Sequence, residues 1–298
     1  MTATRILLAT LLTSICQSAY SATSQSHRGE LELQYLNSDV DGKAGQLGFT
    51  WYFEPVSTYY KKLFKKTLNR PYAEAAFLGR ASNVSVDYKL QRFDDLSEID
   101  ITEYGFDPSE LTEPEDDHLD LSDSKISIEY YVPDSIFYVG VHYHRLTLET
   151  TEYNSTDLTE NTWGLTGGIL LAENLLITTS YREDRDYEPN LRAKYVAELG
   201  NGSGVNFLAS YTRLDKDSES DELIEGDVVK NTNDSIVALS ADYYFSQEFS
   251  IGTGLIYAEK TGYEFRTQYF FTEKLALKGR FQTIDENNDF SIGLIARL

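Results

Sequence analysis

From residue 31 onward, apolar and polar side chains alternate one for one in short runs. Leu31, Leu33 and Tyr35 open the series. Leu47, Phe49, Trp51 and Phe53 follow, with Gln46, Gly48, Thr50 and Tyr52 between them. A period of two puts successive side chains on opposite faces of a strand, so each run predicts a strand with one apolar face. The pattern recurs over 84–90, 126–132, 137–143, 163–171, 175–181, 191–199, 205–211, 237–245, 249–257, 263–271 and 275–281. In the last run Phe290, Ile292, Leu294, Ala296 and Leu298 alternate with Ser291, Gly293, Ile295 and Arg297. Fourteen strands are predicted, an even number.

The connections fall into two alternating classes. Tight turns lie around Pro133, Glu173, Gly202, Gln247 and Glu273, and longer, mostly acidic connections cover 93–123, 150–161, 183–190 and 215–227. The turns share a form: Tyr244-Phe245-Ser246-Gln247-Glu248-Phe249 and Phe270-Phe271-Thr272-Glu273-Lys274-Leu275 both give an aromatic pair, three polar residues and an apolar restart. A soluble two-sheet protein also has alternating strands, but it does not predict short and long connections in strict succession. An outer-membrane barrel does. Aromatic residues near strand ends, among them Phe53, Tyr143, Tyr181, Tyr211, Phe245, Tyr257, Tyr263 and Phe271, suit the interfacial girdles of such a barrel. The expected fold is all-β: a transmembrane antiparallel up-and-down β-barrel of about fourteen strands. Short turns and both termini face the periplasm, the long acidic loops face outside, and residues 290–298 close onto 31–35.

Composition agrees. The chain of 298 residues has 22 Tyr but only 6 Pro and 1 Met, a strand-favouring balance. With 26 Lys and Arg against 48 Asp and Glu it carries a net charge of −22, which excludes nucleic acid as a partner. Residues 1–21 predict a signal peptide: Arg5, an apolar stretch over 6–15, then small residues Ala19 and Ser21. The only cysteine, Cys16, lies inside it behind Ile15, which disfavours lipid attachment. Residues 22–298 are expected to form the barrel without disulfides.

If the apolar set faces lipid, the opposite set faces the lumen. It supplies the candidate pore-lining residues Lys89, Lys125, Glu129, His142, His144, Arg192, Lys194, Asp242, Glu264, Arg266, Lys278 and Arg280. Fourteen strands spaced about 4.8 Å apart and tilted about 40° give a backbone diameter of roughly 28 Å. The acidic loop 93–123 is either solvated outside or folded inward against the basic wall. The basic segment 59–70 (YYKKLFKKTLNR) spaces Tyr60, Leu63, Phe64 and Leu68 helically and predicts an amphipathic helix at the periplasmic side. Such a helix either rests on anionic headgroups or plugs the mouth. His142 and His144 have no third ligand for a metal. Asp215, Asp217, Glu219 and Asp221 lack the register of a calcium loop, so divalent bridging of lipopolysaccharide is the most they support.

The stretch Pro71-Tyr72-Ala73-Glu74-Ala75-Ala76-Phe77-Leu78, followed by Arg80-Ala81-Ser82-Asn83-Val84-Ser85-Val86, resembles a segment of the outer-membrane porin family of gamma-proteobacteria. There, as here, it follows a strand ending in a Tyr-Phe-x-Pro-Val motif, Tyr52-Phe53-Glu54-Pro55-Val56. The resemblance implies a channel in the outer membrane of a Gram-negative cell. Leu298 stands where a terminal Phe is usual in outer-membrane barrels. The expected function is passive diffusion of small polar solutes or ions, with no enzyme activity, cofactor or metal. The alternatives are a non-conducting barrel acting as an adhesin or receptor through its acidic loops, and an outer-membrane hydrolase. Expected partners are outer-membrane lipids, lipopolysaccharide, and the barrel assembly machinery reading Phe290, Ile292, Leu294, Ala296 and Leu298. Self-association is left open.

Overall fold

A computed structural model describes residues 26–38, 42–57, 59–61, 67–93, 119–150, 158–183, 190–200, 202–213, 222–224, 227–229, 235–258, 260–285 and 287–298. The barrel strands are β1 (Ser26–Ser38), β2 (Gly42–Ser57), β3 (Asn83–Phe93), β4 (Leu119–Tyr131), β5 (Phe137–Thr150), β6 (Leu158–Ala172) and β7 (Leu175–Arg182). They continue as β8 (Asn190–Gly200), β9 (Ser203–Arg213), β10 (Ser235–Tyr244), β11 (Phe249–Tyr257), β12 (Thr261–Thr272), β13 (Leu275–Ile284) and β14 (Asn287–Arg297). All fourteen expected strands are present and each pairs antiparallel with its neighbours in sequence. The sheet closes where β14 pairs with β1, with Leu31 opposite Ala296, Leu33 opposite Leu294 and Tyr35 opposite Ile292. Leu298 extends that ladder, donating its N–H to Gly29 O at 2.8 Å and accepting from the Arg28 N–H at 2.9 Å. Closure satisfies the backbone groups that an edge would leave bare in lipid.

The two faces sort as the alternation demands. Leu165, Val139, Phe207, Leu239 and Phe265 are each close to half exposed, although they are large and apolar. On a water-soluble protein so broad an apolar belt would drive association; here it meets hydrocarbon. Aromatic rings bound the belt: Trp163 lies 5.9 Å from Tyr181 near one rim. At the other rim Phe245, Phe249, Tyr269 and Phe271 form a chain of ring contacts at 5.5, 6.3 and 5.2 Å.

Two expectations are revised. The helix over 59–70 is not seen at either end of that segment, where Tyr59–Lys61 and Thr67–Asn69 pair as a two-stranded antiparallel ladder. Helical spacing of four apolar side chains lost to the simpler pairing of two short chains folded back on each other. The strands flanking the acidic loop are also longer than their alternation suggested. β4 begins at Leu119, within the expected loop 93–123, and its register with β3 runs on to Phe93 opposite Leu119. The rest of that loop, most of 215–227, and the signal segment lie outside the described residues.

Candidate functional site: a plugged, charge-paired lumen

Between β2 and β3, at the rim where β1 starts and β14 ends, the chain does not take the short way round. A 3₁₀ turn, Tyr72–Glu74, runs into a single α-helical turn, α1 (Ala75–Leu78). Pro71, with φ fixed and no N–H to satisfy, starts the turn. Arg80, in the left-handed region at φ 52°, ends it. The side chains of this short segment meet strands that are not neighbours. Ala75 packs on Tyr52 and Val56 of β2. Phe77 packs on Tyr138, Leu170 and Leu176 of β5, β6 and β7. Tyr72 packs on Phe270, Ala276 and Ile295 of β12, β13 and β14. One short segment can touch strands spread so far round a closed barrel only from inside it. Residues 70–78 are therefore a plug across the periplasmic mouth.

Polar contacts hold the plug. Glu74, only 3% exposed, accepts a hydrogen bond from the Tyr244 hydroxyl at 2.6 Å and pairs with the Lys194 ammonium at 2.7 Å. That ammonium also sits 4.6 Å over the Phe77 ring. A carboxylate taken out of water needs such partners, because an unpaired buried charge costs several kcal/mol. Gln247, in the turn between β10 and β11, accepts from the Tyr72 N–H at 2.9 Å through its backbone oxygen. Its side-chain amide donates to Arg70 O at 3.1 Å. Gly202 permits this approach: with φ +79°, a Cβ there would lie 2.2 Å from Gln247 Cγ. Arg297, near the end of β14, donates to Tyr72 O at 2.8 Å and to Glu30 of β1 at 2.9 Å. Glu30 in turn contacts His27 at 2.9 Å. Arg297 thus ties the barrel seam to the plug.

Above the plug, the candidate pore-lining residues lie on the inner face, mostly as pairs along the wall. Arg266 bonds Asp242 at 3.0 Å and also pairs with Glu264. Arg280, opposite Arg266 in register, reaches the other Glu264 oxygen at 3.3 Å. Lys278 pairs with Glu32, and Glu129 accepts from Asn83 at 3.2 Å. His144 contacts Asp123 at 2.6 Å, and His142 lies over Gly164, where a Cβ would be 2.3 Å from the ring. Lys125 stands opposite Asp87 in register and Lys89 opposite Asp123. The expected opposition of carboxylates of loop 93–123 and this basic wall falls on residues outside the described ones, apart from its ends; among the described residues, strand neighbours and Glu74 of the plug supply partners. Among the described residues no cluster of three or more His, Cys, Asp or Glu is placed to hold a metal. The proposed assembly residues Phe290, Ile292, Leu294 and Leu298 are exposed on the lipid face, whereas Ala296 is buried.

Sequence reasoning did not find Glu74 or Tyr244 as a site, and it held Arg70 only as the last basic residue of 59–70. It quoted Pro71–Leu78 only as a motif and placed a candidate plug on the neighbouring segment, 59–70. The signal available was local: a Pro-initiated apolar run carrying one acid where a tight periplasmic turn would suffice.

A closed fourteen-stranded barrel with an apolar outer belt, a charged interior and a plug at the rim where β1 starts and β14 ends has the architecture of a membrane-spanning β-barrel. No protein-family model matches the chain, and a search of curated proteins finds no match. Among solved structures it is similar to the outer membrane protein Omp33 of Acinetobacter baumannii, at 19% identity and a TM-score of 0.61, over 92% of this chain and 99% of that one. It is also similar to a deletion mutant of the monoaromatic hydrocarbon channel TodX, at 8% identity and a TM-score of 0.50, over 92% and 90% of the two chains. Likeness at these identities is likeness of fold.

Proposed function

We propose that the protein is a diffusion channel for small polar solutes and ions, throttled at its periplasmic mouth by residues 70–78. The observation that carries this reading is the interior itself. Ion pairs such as Arg266–Asp242 and Lys278–Glu32 line a wall whose charged side chains stay partly solvent-exposed, Lys278 and Glu32 at 31% each, as a water-filled lumen requires. A barrel serving only as a scaffold for its outer loops has no need of a charged interior, and burying unsolvated charge would cost it stability. Among the described residues His142 and His144 face inward and His27 is buried, so none of these three stands on the lipid face as a hydrolase reading requires.

The plug is also the feature that favours the rival reading, a closed barrel working as a receptor. One experiment separates the two. The full-length protein and a variant with residues 70–79 replaced by a flexible Gly-Ser linker are reconstituted into planar bilayers. The channel reading expects steps in both, several-fold larger in the variant. Silence from both proteins, each still heat-modifiable on gels and therefore folded, would refute it.

A further inference from the structure

The wall side chains that hold the plug are of two kinds. Tyr244, Gln247 and Arg297 are buried and sealed off from the lumen. Lys194, Glu198 and Glu273 keep part of their surface in contact with solvent. Glu198, 3.7 Å from Arg70, and Glu273, 3.4 Å from the Tyr72 hydroxyl, stand at the periplasmic ends of β8 and β12. Lys194 stands higher on the inner face of β8. Two residues below it Val196 is fully buried, and two above it Arg192 lines a cavity of the lumen. The Lys194 side chain is 28% exposed, against 4% for its partner Glu74, and so forms part of the lumen floor.

The grip of Lys194 is also open to exchange. Its ammonium lies 2.7 Å from Glu74 Oε2, yet that oxygen accepts no aligned hydrogen bond. The directional bond, from the Tyr244 hydroxyl at 2.6 Å, goes to Oε1. Lys194 therefore holds Glu74 as a point charge, with three rotatable donors and no fixed plane. A second carboxylate reaching it from the lumen meets the same chemistry. Sharing the ammonium weakens the attraction that offsets the burial of Glu74, and the two like charges repel. The same ammonium lies over the Phe77 ring, so both of its contacts with the plug loosen together.

We infer that Lys194 is a landing point for small carboxylate solutes at the floor of the lumen, and that its occupation unseats the plug. The solute displaces a carboxylate of its own kind and thereby opens its exit. The role in transport rests on the channel reading; the displacement of the plug does not.

The test therefore reads displacement and conductance separately. Sodium acetate is the probe and acetamide, of the same size without the charge, the control, both at an ionic strength fixed with sodium chloride. Displacement is read as chymotrypsin cleavage after Tyr72 in the folded protein in micelles, identified by mass. Acetate is expected to speed this cleavage several-fold and saturably, and acetamide to leave it unchanged. K194M should be cut several-fold faster from the outset, with no further response to acetate. The exchange E74K/K194E should restore the slow rate and abolish the response, with heat-modifiability confirming each fold. A native rate indifferent to acetate, or K194M as responsive as the native protein, would overturn the inference. In planar bilayers acetate should lengthen the time spent in the larger steps of the linker variant. If acetate speeds cleavage while even the linker variant stays silent, the channel reading fails and the displacement stands. Steps in both proteins, with cleavage indifferent to acetate, would keep the channel and remove its trigger.

Discussion

At the scale of single residues, Arg297 carries more of the architecture than its place at the end of a strand suggests. Its guanidinium is 3% exposed, bonds Glu30 and Tyr72 O, and lies 4.6 Å over the Phe270 ring. Arg297→Ala removes the guanidinium partner of the half-buried Glu30 carboxylate, which should destabilise the barrel by about 1 to 3 kcal/mol. The temperature at which the folded gel band converts to the unfolded one would fall accordingly. A variant that shifts this temperature no more than an exposed Arg→Ala change would show that Glu30 finds other solvation. Arg297→Met, which keeps volume but leaves Glu30 with His27 and without the guanidinium, should behave like the alanine variant.

At the scale of elements, the strands were legible and the plug was not, for one physical reason. A strand in a barrel has one face in lipid along its whole length, so its burial pattern repeats locally, as in the alternation of Phe290 to Leu298. The plug is one 3₁₀ turn and one α-turn, too short for any period. What buries it is remote: Tyr244 is 170 residues from Glu74, and Arg297 is 225 from Tyr72. No local pattern contains such partners. The inner-wall charges were legible as a set, because strand parity assigns them. Their pairing was not, since it depends on register, as with Arg266 and Arg280 brought opposite one another. The two-stranded ladder at 59–61 and 67–69 was misread because four apolar residues at helical spacing outweighed the strand preference of Tyr59, Tyr60 and Thr67.

At the scale of the whole molecule, stability depends on the match between belt and bilayer more than on any packed core. Leu165 sits in the middle of β6, 48% exposed on the lipid face. Leu165→Arg is expected to cost about 2 to 4 kcal/mol, as a cation at the midplane of a lipid-facing strand does. Urea titration of the protein folded in vesicles would measure it. Thr166→Arg, one residue along and facing the lumen, should cost markedly less. Equal losses at 165 and 166 would mean that the faces are assigned the wrong way round.

The bond from Arg297 to Tyr72 O has a consequence in time. The plug is threaded between the second and third strands, but one of its anchors lies on the last strand, beside the seam with the first. The segment can therefore take its final seat only after the final strand has found its partner, whatever order the other strands follow. Until then the mouth stands open, and the peptide after Tyr72, a residue only 5% exposed in the finished barrel, is accessible to chymotrypsin. During folding into detergent micelles, protection at Tyr72 should lag or coincide with the appearance of the heat-modifiable band, never precede it. Earlier protection would mean that the plug folds on the half-built wall, as a template for the barrel rather than the last piece placed in it.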